Sequence, residues 1–414
     1  MTTDRSMTRR TFVGRTAGAA AVPLITAASG SLTQEEGSKA ASGAPVGRKL
    51  RIAIVGLGGR GSWIAGLFKQ HPGYEIAAAV DYFEETANAV GDRLGVPAGK
   101  RFSGLAGYKR ALDSGVEAMV LEDIPYFYPE QAAASIEAGC HVYMAKPFAV
   151  DVPAVFAMQA LAKKATAKKL CFLVDYQLPT DPANREVKQR INEGALGGLA
   201  HIYSGGTCGQ LPDPKVGPTI ENLFRRAWYS HIALSGDLLL LYDIHIIDGV
   251  TWVIGQRAIA AGGYSRIVRP DPHGDRTDCG GVVLQLADGT CWTHNTQLLK
   301  NNAVMYNLEA DLMGRRATAH LAYNGKVFVR GGLKHYAGAV SSGIYADGAK
   351  ANIAEFYRCV TEGRFDNAIA HRSVDSHLTA ILGREAMLRK TWLTMDEVIK
   401  EGKTREVNLR GLKV

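Results

Sequence analysis

The stretch that most constrains the fold is KLRIAIVGLGGRGSWIAGLFKQH, residues 49–71. A β-branched apolar run leads into a glycine cluster, and an apolar pattern of helical period follows. Gly56, Gly58 and Gly61 form G-x-G-x-x-G at this strand-to-helix turn. Gly56 permits the tight turn, Gly58 lets a backbone approach a pyrophosphate, and Gly61 lets helix and strand pack closely. The free N–H groups at the helix start then face the phosphates. A second strand, YEIAAAVDYF, carries Asp81, 20 positions after Gly61, where an acid holds a ribose 2′-hydroxyl. An acid there repels a 2′-phosphate, so NAD is expected ahead of NADP. Arg60, inside the turn, is the cation that argues the other way.

The alternation continues beyond this unit. VEAMVLEDIP (116–125) reads as a buried strand, YPEQAAASIEAG as a helix ending at Gly139, and CHVYMAKPF as the next strand. A helix over 153–168 and a strand over 169–177 follow. Strands alternating with helices imply parallel pairing and a doubly wound α/β sheet, a Rossmann dinucleotide-binding domain over 49–175. Ligands of such sheets bind at the carboxyl ends of the strands, which places Asp123, Pro125, Lys146 and Tyr176 at one rim. With 414 residues, 46% of them hydrophobic and 21% charged, the chain is long enough for a second domain. No stripe of Lys and Arg interleaved with aromatics marks a nucleic-acid surface. KKATAKK at 163–169 reads as the solvated face of a helix. The six cysteines lie far apart without C-x-x-C, so neither a zinc site nor a disulfide framework is indicated.

The first 28 residues have the order of a removable targeting segment: a charged region, a weakly apolar one, then small residues before a cleavage point. The paired Arg9 and Arg10 mark the twin-arginine route, whose cargo crosses folded. That implies the twin-arginine translocase as a partner, a periplasmic destination, and a cofactor captured in the cytoplasm. Removing this segment takes away four arginines and one aspartate, so the formal charge of +8 falls to about +5. Residues 29–48 read as a flexible tether.

The glycine turn, the segment IEAGCHVYMAKPFAVDVPA and the later LSGDLLLLYDIHIIDGVTWVIG resemble the Gfo/Idh/MocA oxidoreductases over about residues 49–400. The resemblance implies a second domain, 176–414, of α+β type. Its mostly antiparallel sheet would be open on one face, which in many members serves oligomer contacts, so a homo-oligomer through that sheet is expected. A helix over 182–194, one long helix over 235–254, and closing helices near 348–363 and 371–391 complete the reading.

By resemblance, Lys146 bonds the reacting substrate hydroxyl and His245 is the general base. A Lys beside a positively charged ring has a lowered pKa, which suits proton handling, and the natural pKa of His near roughly 6.5 suits a base. Asp248, three positions after His245, shares its helix face. Arg225, Arg226, Trp228 and His231 in the loop FRRAWYSH are of the type that holds a sugar, as are Tyr176 and Asp248. The chain departs from the family pattern at three places. Ala145 replaces the acid of Glu-Lys-Pro, Leu241 replaces an acid four residues before the His, and Tyr128 stands where His is common. Asp243 is near in sequence but on a different helix face from His245. The loop PDPHGDRTDC (270–279) reads as a solvated turn and not as a metal site. Three functions remain open: a sugar oxidoreductase with bound, internally recycled NAD, a glycoside-cleaving enzyme acting by transient C3 oxidation and elimination, and a non-catalytic sugar-binding relative.

Overall fold

The computed structural model describes residues 47–215, 221–301, 307–341 and 343–414. The paired arginines and most of the tether lie outside them.

The apolar runs of the first domain become β1 (Leu50–Val55), β2 (Tyr74–Asp81), β3 (Arg101–Ser103), β4 (Ala118–Leu121), β5 (His141–Met144) and β6 (Phe172–Val174). They pair in the order β3-β2-β1-β4-β5-β6, parallel throughout. β4 and β6 are wholly buried, as strands covered by helices on both faces must be. The chain runs outward from β1 in both directions, so a crevice opens at the carboxyl ends of β1 and β4. β6 is shorter than the run 169–177 suggests: Lys169 takes a left-handed φ of 57°, which cannot be continued as strand, and the buried Asp175–Gln177 lead into the Leu178–Thr180 turn.

The second sheet has nine strands: β7 (Leu199–Cys208), β8 (Ala260–Arg266), β9 (Cys279–Gln285), β10 (Cys291–Leu298), β11 (Glu309–Gly314), β12 (Ala317–Ala322), β13 (Gly325–Gly331), β14 (Tyr336–Ser341) and β15 (Trp392–Thr394). Their order is β14-β13-β12-β11-β7-β10-β9-β8-β15, and every pair is antiparallel except β7 with β10. Alternation along β10 buries Trp292, His294, Thr296 and Leu298 and leaves Thr293, Asn295 and Gln297 nearer solvent. Tyr264, Val283 and Met313 are exposed on other strands. One face of the sheet is therefore covered and the other open.

Two readings of the sequence change. The run 235–254 is three helices, Ile232–Ser235, Leu238–Leu241 and Ile244–Ile254, because Gly236 and Asp237 both adopt positive φ and no helix passes through that conformation. The loop 270–279 is anchored by charge and not simply solvated. Arg269 pairs with Asp278 and, at 2.6 Å, with Asp213, and Arg276 is fully buried beside them. No cluster of metal-ligating residues occurs among the described residues. The Ile344–Glu362 helix returns to the first domain, where Ala349, Ile353 and Phe356 join the core of Leu50, Ile52 and Phe68.

Candidate active site

The crevice is a cleft of ≈ 1160 Å³ whose walls include the glycine turn, Asp81–Phe83, Glu122–Ile124 and Phe224–Arg226. Gly56 has φ +83°, and a Cβ on it would lie 2.6 Å from the backbone of Asp123. A Cβ on Gly61 would overlap the Gly56 carbonyl oxygen, whereas Gly58 and Gly59 face open space. The Gly59–Gln70 helix starts there with no side-chain cap, so its first N–H groups stay available to an anion. Asp81 is fixed by accepting from Leu57 N (2.8 Å) and Phe83 N (2.9 Å). Each of its oxygens keeps a further lone pair for a ribose hydroxyl. These features fit a dinucleotide. Asp123 accepts from Ile124 N and Gln131 Nε2, and burial pushes its pKa up to about 6. Pro125 opens the buried Pro125–Phe127 turn and shapes the wall instead of lining it.

Lys146 lies two residues beyond β5, ahead of a cis bond to Pro147. Its Nζ donates to the Leu241 carbonyl at 2.8 Å. Burial first, and the charge of Arg60 second, lower its pKa to about 7, with Asp243 and Asp175 opposing. His245 lies at the start of the Ile244–Ile254 helix, its ring 4.9 Å from that of Tyr323. Burial, then the charges of Lys146 and Arg60, hold it well below its usual pKa. Its Nδ1 has no hydrogen-bond partner among the described residues. The site thus brings together two nitrogen bases from different domains, the charge of Lys146 disfavouring that of His245.

Arg60 lines the cleft with its charge already paired. Its guanidinium pairs with Glu122 (3.0 Å) and Asp175, and donates to the Tyr345 hydroxyl at 2.6 Å. Glu122 is an acid that sequence reasoning missed. Leu121 pairs with Met144 in register, and Ala145 N donates to Leu121 O at 2.9 Å, so Glu122 stands beside Ala145 on the neighbouring strand. Burial raises its pKa to about 7 against the pull of Arg60. The signal available was an acid pair, Glu122-Asp123, at a strand end.

Asp243 likewise enters the site. It precedes the Ile244–Ile254 helix as its N-cap residue, and its carboxylate meets His294 of β10 at 3.2 Å. Lys146 lies within its field. Gly206 makes room for it, since a Cβ there would collide with the carboxylate.

The expected substrate residues separate. Arg226 and Trp228 line the cleft, and Trp228 stacks on Tyr229 with centroids 3.9 Å apart. Tyr176 does not line it: the side chain is buried, with Ser373 and Ser376 near its hydroxyl. Asp248 is taken up by Arg372 at 2.7 Å, as a buried carboxylate needs a cation. His231 caps the following turn through its carbonyl, which accepts from Ser235 N, and is absent from the cleft wall. Tyr128 is buried near Glu122 and Asp123. Tyr229 and Tyr345 flank Arg60 and went unnoticed in the sequence.

A Rossmann crevice facing an open-faced sheet, with a lysine and a histidine meeting between them, defines a two-domain NAD-binding oxidoreductase. Residues 50–173 match the family described as "GFO_IDH_MocA: Oxidoreductase family, NAD-binding Rossmann fold". It is 23% identical over 265 residues to inositol 2-dehydrogenase 1 of Saccharopolyspora erythraea, covering 62% of this chain and 68% of that one. An uncharacterized oxidoreductase of Synechocystis is 26% identical over 161 residues, 38% of this chain, and the match spans only 40% of that protein. Among solved structures, myo-inositol 2-dehydrogenase of Lactobacillus plantarum superposes with TM-score 0.66 at 20% identity, covering 84% of this chain and 99% of that one. Scyllo-inositol dehydrogenase of Lactobacillus casei, solved with NAD(H) and scyllo-inositol, gives 0.66 at 19% and the same coverage. Aldose-aldose oxidoreductase of Caulobacter crescentus, complexed with glycerol, gives 0.65 at 18%, covering 84% and 100%.

Proposed function

We propose that the protein oxidises a CH–OH group of a sugar or sugar derivative, with NAD held tightly and regenerated on the enzyme. The observation that carries this reading is the pairing of Lys146, with its pKa near 7, and His245, held neutral with an unpartnered Nδ1, at the carboxyl rim of a dinucleotide crevice. The bound nicotinamide supplies the acceptor and donor of hydride. Lys146 holds the reacting hydroxyl through Nζ, and His245 takes its proton at Nδ1. Burial first, with the charge of Arg60 adding to it, lowers the proton affinity of both bases, and Arg60 itself is fixed between Glu122 and Asp175. Trp228 and Arg226, on the cleft wall, are the proposed platform and donor for a sugar ring.

A second reading, glycoside cleavage by transient oxidation, needs one base for the hydroxyl proton and another for the adjacent C–H. Two nitrogen bases of lowered proton affinity in one site favour keeping it. A non-catalytic sugar-binding role has no comparable support. Export by the twin-arginine route belongs to the same proposal: an exported enzyme has no cytoplasmic pool with which to exchange NAD. Self-association through the open sheet face is proposed on the exposed Tyr264, Val283 and Met313.

The test is to purify the protein without added cofactor, identify released nucleotide by absorbance and mass, and incubate the enzyme with free sugars and glycosides without an external acceptor. Bound NADH that a second sugar or an aldehyde discharges supports oxidoreduction. Aglycone release with deuterium uptake at C2 and no net NADH supports cleavage. Bound NAD with neither outcome across a broad panel would defeat both.

A further inference from the structure

We propose that the segment Thr404–Val414 is part of the nucleotide site, forming the outer wall over the adenosine half of the crevice and keeping the dinucleotide captive between turnovers. The inference rests on the NAD-binding reading and goes beyond it. Asp81, at the end of β2, marks the ribose position, so the neighbouring Tyr82, Phe83 and Leu105 bound the adenosine half. Residues 404–410 and Val414 line the same cleft from the opposite side.

The segment is anchored at both ends. At its start, Arg405 N donates to Asp151 Oδ2 at 2.9 Å and the Arg405 guanidinium to Glu385 at 2.5 Å. At its far end it is stitched to the first domain. Leu105 N donates to Lys413 O at 2.9 Å, Lys413 N donates to the Tyr82 hydroxyl at 3.0 Å, and Lys413 Nζ reaches Glu84 and Ser103 Oγ at 3.1 and 3.0 Å. Leu412 is 7% exposed and buried in a small apolar cluster with Ile124, Tyr126, Phe127 and Phe224, which Val407 and Leu409 extend. That cluster is separate from the main cores of either domain. The far anchor therefore consists of one buried leucine, two hydrogen bonds of the Lys413 backbone, and the Lys413 ammonium with its bond to Ser103 and its exposed ion pair to Glu84. Such an attachment can open without unfolding either domain, because local openings follow regions of few buried contacts. Between the anchors, residues 406–411 cross the cleft, and a dinucleotide can leave past them only when the far anchor releases.

The test uses the full-length protein, a variant lacking residues 406–414, and the double variant Leu412→Ala, Lys413→Ala, each loaded with NADH. Dissociation into excess NAD is followed by loss of energy transfer from tryptophan to the dihydronicotinamide. Copurified nucleotide is quantified, and melting of the nucleotide-free proteins checks folding. The expected result is a dissociation rate raised on the order of tenfold or more, since burial of one leucine and its neighbours is lost, with less copurified nucleotide and similar melting. Should the deletion fail to fold, the double variant carries the test. Dissociation within twofold of wild type would overturn the proposal alone. A full-length chain that holds no nucleotide at all would overturn the cofactor reading and this proposal with it.

Discussion

Asp243 Oδ2 lies 3.2 Å from His294 Nε2, with both side chains fully buried. The other ring nitrogen meets Ser204 Oγ at 2.8 Å, and Trp292 Nε1 donates to the same hydroxyl at 2.7 Å. This line of polar groups runs from the covered face of the second sheet to the carboxylate that favours the charged form of Lys146. The second domain thereby helps set the proton affinity of a lysine in the first.

Asp243→Asn removes a negative charge that raises the Lys146 pKa, so that pKa falls further below about 7. Oxidation that needs neutral Lys146 rises with pH through the folded pKa, and the acid limb of kcat/KM moves to lower pH in the variant. The pH profile checks this, with circular dichroism as a control for folding. An acid limb that stays in place would show that another group titrates there.

Lys146→Ala and His245→Ala each lower the rate by ~10²–10⁴-fold, the usual effect of losing a positioned acid–base group. Neither residue belongs to the glycine turn, so copurified nucleotide stays near the wild-type content. Single-turnover hydride transfer separates the two effects.

Gly61→Ala puts a methyl group onto the Gly56 carbonyl oxygen, and neither partner is a flexible side chain. Overpacking of this kind costs about 1–3 kcal/mol, and here it also opens the turn that faces the phosphates. The expected outcome is a lowered Tm with nucleotide lost. Asp81→Ala leaves the turn standing but weakens NAD or admits NADP, as titration calorimetry with both cofactors measures.

Burial would raise the Glu385 carboxyl, but the charges of Arg384 and Arg405 outweigh it and hold the pKa at about 2. A depressed carboxylate pKa contributes stability above its unfolded value, near 4.5, that is lost as pH falls toward 2. The full difference corresponds to roughly 3 kcal/mol. Denaturant unfolding between pH 5 and 2 therefore shows a shallower loss of stability in Glu385→Gln than in wild type, from a lower starting point.

Replacing Arg9 and Arg10 with Lys leaves folded, nucleotide-loaded protein in the cytoplasm if the twin-arginine translocase reads the paired guanidinium groups. Cell fractionation measures it. Unchanged export would remove the link between cofactor capture and route.

The glycine turn, the strands of the first sheet other than Arg101–Ser103, and the position of Asp81 were legible because each is a local pattern. A β-branched run, a turn that only glycine fits and an acid at fixed spacing need no distant partner to be recognised. Lys146 and His245 were legible only through family resemblance, since a strand-end lysine and a helix histidine carry no chemistry alone. The departures at Ala145 and Leu241 looked like missing acids, because sequence spacing cannot show strand register or facing sheets. Pairing of Leu121 with Met144 brings Glu122 to the first place, and β10 fixes Asp243 near the second through His294. The same limit concealed the break at Gly236–Asp237, the burial of Arg269 with Asp278, and the return of Leu412 and Lys413 to the first domain. Each of these depends on what a residue meets across the fold, and burial and charge pairing are decided there, not along the chain.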